Sequence, residues 1–172
     1  MARDHAHNAA HDAAHDRITS WLKDAHAMEK SLETVLEKQA KHADSDPAMR
    51  DRLTRHAEET RRHAELVEQA LERLGTSPST LKNMTGGMQA RMHGMLTGAS
   101  GDTLVKDTLS GIAAEHFEIA CYTSLQTAAR DVGDEQTAQM CEEILRDEHA
   151  MAEYLEQELP RVTHMELAAA TA

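Results

Sequence analysis

The sequence predicts an all-α fold, a bundle of four long helices. Apolar residues recur at three- and four-residue steps over long stretches, the pattern of a helix with one buried face. Apolar side chains make up 40 % of the chain and aromatics only 2 %, so the core must be aliphatic and rich in Ala, a helical composition. Pro and Gly divide the chain at a few places into the long stretches that these patterns occupy. At 172 residues, one domain with one core spanning 1–172 is expected.

The first helix is expected from about 11, or earlier, to 43, with Ile18, Leu22, Ala25, Leu32 and Leu36 on one line. It ends near Asp44-Ser45-Asp46-Pro47, where Asp46 can cap the next helix and Pro47 can take its first turn, a place where a missing N–H costs nothing. The second helix, 47–74, stops at Gly75, which suits the left-handed residue after a helix end. The stretch 75–101 is irregular. It carries Gly86, Gly87, Gly94, Gly98 and Gly101 among Met84, Met88, Met92 and Met95, and is expected to be a crossover whose methionines form an apolar flap or a dimer contact. A third helix covers about 102–132 and stops at Gly133. Asp134 then caps a fourth, 134–159, which Pro160 is expected to close. Two hairpins joined by one long middle connection give the ferritin-like connectivity rather than the simple up-and-down one.

Composition narrows the partners. The net charge of −12, without a basic stripe to neutralise phosphates, argues against nucleic acid and for small cations. No run of about 18 uncharged apolar residues occurs and the N-terminus has no signal-like apolar segment, so a cytoplasmic protein without a membrane anchor is expected. Cys121 and Cys141 fall inside helices and read as reduced thiols; neither has neighbours that would make it a nucleophile. The segment 1–16 is a His-rich extension in which His7, His11 and His15 recur every four residues; a solvated helix end is the plainer reading, a surface metal ladder the sharper one.

Chemistry enters where charged residues interrupt the apolar lines, because a core charge is expensive unless it is paired or bound to metal. Glu29 sits in the line Leu22, Ala25, Leu32, Leu36. The second helix reads Leu53, His56, Thr60, His63, Val67, with Glu59 one turn before His63. The third reads Thr108, Ile112, Glu115, Ile119, Tyr122, with Glu118 beside it, and the fourth reads Leu145, Glu148, Ala152, Leu155. A carboxylate at mid-helix from each of four helices is what two divalent ions require, since together they bring four positive charges.

At the same residues the sequence resembles the bacterial YciE/YciF ferritin-like stress proteins. The segments carrying this are Leu22-Lys-Asp-Ala-His-Ala-Met-Glu29, His56-Ala-Glu-Glu-Thr-Arg-Arg-His63, Glu115-His-Phe-Glu118-Ile-Ala-Cys-Tyr122 and Ile144-Leu-Arg-Asp-Glu148-His-Ala-Met, within about 18–159. The resemblance implies a ferritin-like bundle, related to rubrerythrins and manganese catalases, commonly a homodimer. It also implies metal ligands at Glu29, Glu59, His63, Glu115, Glu118 and Glu148. His56 is outside that set, and Tyr122 is placed beside it, near a metal-bound oxygen or as core. The usual Glu-x-x-His pattern is absent: Glu59 and His63 are one residue too far apart, and His149 points about 100° away from Glu148. An oxygen-rich set suits Fe or Mn better than Cu or Zn.

The function expected is therefore that of a protein with two Fe or Mn ions per chain, acting on hydrogen peroxide or oxygen in catalase-like, peroxidase-like or ferroxidase-like fashion. Two alternatives stay open: metal sequestration without turnover, and a metal-free structural bundle whose polar residues pair with one another.

Overall fold

The computed structural model describes residues 2–76 and 104–171, with side chains from residue 13 onward. The described residues form four helices: α1 (Ala2–His42), α2 (Pro47–Arg73), α3 (Leu104–Asp131) and α4 (Glu135–Ala170). The expected caps form. The Asp46 carboxylate accepts the Met49 N–H at 3.2 Å with Pro47 in the first turn of α2, and the Asp134 carboxylate accepts the Thr137 N–H at 3.1 Å at the start of α4. Gly75 and Gly133, at φ +75° and +78°, take the left-handed conformation that ends α2 and α3.

Contacts between named residues fix the directions. Arg61 of α2 reaches Glu33 and Glu37 of α1, and Gln126 of α3 reaches the Ala138 carbonyl of α4, so each hairpin is antiparallel. Gln39 of α1 meets Ser110 of α3 while Glu29 meets Tyr122, which makes α1 and α3 antiparallel as well. Arg73 of α2 meets Asp134 beside α4 while Asp46 meets Arg161, so α2 and α4 are antiparallel too. It follows that α2 and α3 run the same way and lie diagonally opposite. A chain joining the end of α2 to the start of α3 must cover roughly the 40 Å length of α2, the reason a long connection is needed. The fold is a ferritin-like four-helix bundle.

The apolar core comes in two blocks. One holds Ile18, Leu22, Leu32, Leu71, Leu125 and Ile144, and the other Leu36, Met49, Leu53, Met151, Leu155 and Val162. Each fully buried Leu or Ile contributes about 1.5–3 kcal/mol. Between the blocks all four helices turn charged side chains inward.

One expected boundary is wrong. Pro160 does not close the fourth helix, which continues through it to Ala170. Proline removes one helical hydrogen bond, the one its N–H would give to the Glu156 carbonyl. Two contacts beyond it hold the helix on course: Val162 is buried in the second apolar block, and the Arg161 guanidinium donates to the Asp46 carboxylate at the end of the first hairpin. At the other end, α1 begins at Ala2, within the "or earlier" of the expected start. The Met/Gly-rich crossover, with Met84, Met88, Met92 and Met95, lies outside the described residues, as do the side chains of His5, His7 and His11. No described helix is long and apolar enough to cross a membrane.

Candidate metal centre

The centre is assembled from side chains that helical periodicity aims at the bundle axis. On α2, His56 and His63 are seven residues apart, within about 20° of the same face, with Thr60 between them. On α3, Glu115 and Glu118 are one turn apart. Glu29 comes from α1 and Glu148 from α4. Glu29, His56, His63 and Glu148 are 0 % exposed, Glu118 1 % and Glu115 2 %, so this is a buried polar layer between the two apolar blocks.

Among the described residues, donor atoms gather in two groups, each within 4.8 Å: Glu29, His63 and Glu148 in one, and His56, Glu115 and Glu148 in the other. Glu148 belongs to both. In the first, His63 Nδ1 is 2.9 Å from Glu148 Oε1 and 3.9 Å from Glu29 Oε2. In the second, His56 Nε2 is 3.2 Å from Glu115 Oε2 and 3.6 Å from Glu148 Oε2. These approaches lack the alignment of hydrogen bonds. Glu29 Oε2, His56 Nε2, His63 Nδ1, Glu115 Oε2, Glu118 Oε1 and both Glu148 oxygens are buried without a hydrogen-bond partner. Buried polar atoms are normally satisfied, and each orphan costs about 1–3 kcal/mol. Seven convergent orphans on six acidic and imidazole side chains have the chemistry of cation ligands: oxygen and neutral nitrogen, with four carboxylates to match the charge of two divalent ions. The residues therefore fit a pair of ions such as Fe or Mn.

Electrostatics tells the same story from the other side. Burial alone would lower the His56 imidazole, but the Glu115, Glu59 and Glu148 carboxylates around it outweigh burial and hold it at about 10. His63 is likewise lowered by burial and raised more by Glu148, Glu29 and Asp147, reaching about 9. Burial, reinforced by neighbouring carboxylates, pushes Glu29, Glu118 and Glu148 up. Without a cation, protons occupy this layer in its stead, and cation binding must release them.

Of the residues the sequence singles out, the structure brings Glu29, His63, Glu115, Glu118 and Glu148 into this layer. Glu59 stands elsewhere. Its side chain is 34 % exposed at the rim, where Oε2 accepts from Arg52 Nη1 at 3.0 Å and lies 2.9 Å from His56 Nδ1. Burial is outweighed by these two partners, which bring the Glu59 carboxyl down to about 2. His56 instead points inward, the residue that sequence reasoning left out. Its signal was present: it occupies the same line as Leu53, Thr60, His63 and Val67, whereas Glu59 is some 60° off that line. Asp147 was missed as well; its Oδ2 lies 3.0 Å from His63 Nε2. Tyr122 is fully buried beside the layer, and its hydroxyl donates to Glu29 Oε1. His149 is exposed.

Both cysteines are free. Burial, with Asp24 adding to it, pushes the Cys121 thiol up to about 11, and burial with Asp134 pushes Cys141 up to about 12, which keeps both in the unreactive thiol form. Cys121 lines an apolar groove of about 300 Å³ between α1 and α3, with Trp21, Ala25, Met28 and Leu125.

Comparison with known proteins agrees with the fold. The family described as "Domain of unknown function (DUF892)" matches residues 13–168. Among solved structures, a protein from Xanthomonas campestris pv. campestris is 33 % identical over 93 % of this chain and 99 % of its own, with a TM-score of 0.78. The Escherichia coli stress protein YciF is 26 % identical over 88 % of this chain and 97 % of its own, with a TM-score of 0.70. A bacterioferritin from Desulfovibrio desulfuricans, described with a diiron site in different catalytic states, is 21 % identical over 90 % of this chain and 84 % of its own, with a TM-score of 0.67. That last likeness speaks for the fold alone.

Proposed function

This chain belongs to the DUF892 family, the ferritin-like group that includes YciF, and on that premise we propose that it binds two Fe or Mn ions in the core and acts on hydrogen peroxide or oxygen. The observation that carries the reading is the set of seven buried donor atoms without a hydrogen-bond partner, among the described residues, on Glu29, His56, His63, Glu115, Glu118 and Glu148. The diiron site named for the bacterioferritin of like fold supports it.

Glu29, His63 and Glu148 would hold one ion, and His56, Glu115 and Glu148 the other, with Glu148 shared. Glu118, whose Oε1 has no hydrogen-bond partner, would complete the charge balance. Such a pair supplies a two-electron change shared between two centres, the chemistry needed to dismutate peroxide or reduce oxygen. The chain's own groups do the rest. The Tyr122 hydroxyl fixes Glu29. Apolar blocks above and below exclude bulk water, which strengthens every charge interaction in the layer. The raised imidazoles and carboxyls hold the protons that ion entry must displace. A stress-related role, as in the description of YciF, fits an activity against peroxide.

Elemental analysis of protein purified without chelator or nickel resin tests the proposal. About two Fe or Mn per chain, lost in a Glu29→Ala, Glu148→Ala double variant, is the expected result and would justify measuring peroxide consumption. No metal in the wild type, even after anaerobic reconstitution, would leave a structural bundle.

A further inference from the structure

Each imidazole of the polar layer is gripped from outside as well as inside, and the two rings are turned opposite ways. His56 faces the core with Nε2 and faces Glu59 with Nδ1, 2.9 Å from Oε2. His63 faces the core with Nδ1 and faces Asp147 with Nε2, 3.0 Å from Oδ2. Both outer carboxylates touch solvent, at 34 % and 31 % exposure, and each has an arginine beside it: Arg52 Nη1 at 3.0 Å from Glu59, Arg62 Nη2 at 3.6 Å from Asp147. An ionised carboxylate can only accept a hydrogen bond, so the ring nitrogen facing it must carry the hydrogen. A neutral ring then has its lone pair on the other nitrogen, the one in the core. That is the nitrogen a cation needs.

We propose that Glu59 and Asp147 are positioning residues that fix His56 and His63 in opposite tautomers, so that a core cation binds His56 through Nε2 and His63 through Nδ1, each outer carboxylate governing one cation position. The inference rests on the dinuclear reading above and deepens it. It also gives Glu59 a role other than that of a ligand.

The two supports differ in origin. Glu59 is three residues from His56 on α2, so that grip is built into one helix. Asp147 reaches His63 from α4, next in the chain to Glu148, so that grip depends on how α2 and α4 pack. A carboxylate behind a ligating histidine raises its basicity and locks its orientation, typically worth 10- to 100-fold in metal affinity. Because the supports serve different rings, their losses should be separable.

The test uses the full chain with Zn²⁺, a diamagnetic probe for both positions. Long-range ¹H–¹⁵N spectra of the Zn²⁺-saturated protein should show His56 protonated at Nδ1 and His63 protonated at Nε2. Titration against a competing chelator should show two binding steps. Glu59→Ala should weaken one step by about 10- to 100-fold and leave the other within about threefold, and Asp147→Ala should do the reverse. Glu59→Gln and Asp147→Asn, whose amide oxygens can still accept, should restore most of each loss. Two histidines ligating through the same nitrogen, or alanine variants that bind Zn²⁺ like the wild type, would overturn this inference alone. A wild type that binds no Zn²⁺ at all would overturn the dinuclear reading with it.

Discussion

Glu148 is the side chain common to both donor groups, so its replacement should act on both cation positions where a change at Glu29, His63, His56 or Glu115 acts on one. A cation that binds only the folded state stabilises it by RT ln(1 + [L]/Kd), about 2.7 kcal/mol per site at a hundredfold excess over Kd. For a chain of this size, about 1 kcal/mol moves the melting temperature by roughly 2–4 °C. Two filled sites should therefore raise Tm by about 10–20 °C over the metal-free protein. Glu29→Gln and Glu115→Gln, each losing a ligand of one group, should keep about half of that rise; Glu148→Gln should keep almost none. The assay is calorimetry or circular dichroism of each protein, chelated and then with excess Mn²⁺, every rise referred to that variant's own metal-free melt. If Glu148→Gln retained more than half of the wild-type rise, the shared role read from the 2.9 Å and 3.6 Å approaches to His63 and His56 would be refuted.

Three further outcomes follow from particular contacts. Tyr122→Phe should lower stability by about 1–3 kcal/mol in urea unfolding, because Glu29 Oε1 loses its buried donor; a neutral result would mean the hydroxyl does not hold that carboxylate. Val162→Ala should cost about 2 kcal/mol, since α4 buries this residue beyond Pro160, whereas a helix ending before the proline would leave the change without effect. Burial pushes the Asp46 carboxyl up, but the Arg161 guanidinium and the Met49 amide outweigh it and hold the group below its ordinary 3.8. A depressed folded-state value gives stability that is present above 3.8 and lost as pH falls through the folded-state value. Asp46→Asn keeps a capping side chain, so its stability deficit at neutral pH should vanish in strong acid; a deficit constant with pH would show that charge plays no part.

Most of the fold could be read from the chain because its signals are local. Asp46-Pro47, Gly75, Gly133 and Asp134 act within a turn of where they stand, and the Leu22-to-Leu36 line needs only one helix to be recognised. Pro160 was misread because what keeps α4 going is not local: Asp46 and the second apolar block lie far away in sequence. The metal centre divides in the same way. Glu29, Glu115 and Glu148 break apolar lines and so announce themselves, and Glu118 stands beside such a line one turn from Glu115. Glu59 stands in place of His56 in the ligand set that the YciE/YciF resemblance implies, which favours an acid near His63 over the histidine two turns back on the same face. Asp147 becomes visible only when α4 is laid against α2, a relation that spacing along one helix does not contain.

The way the six core groups are shared between the hairpins also bears on which surfaces accept each other. The α1–α2 hairpin brings both imidazoles and one carboxylate, while the α3–α4 hairpin brings Glu115, Glu118 and Glu148. Docking of one hairpin on the other sets protonated rings against carboxylates. Two copies of the second hairpin would bury six acids together and two copies of the first would crowd four imidazoles, so like rejects like before any side chain interlocks. A greasy face cut into Leu and Ala alone would have no such discrimination. The layer that readies this chain for cations therefore also tells its two halves apart.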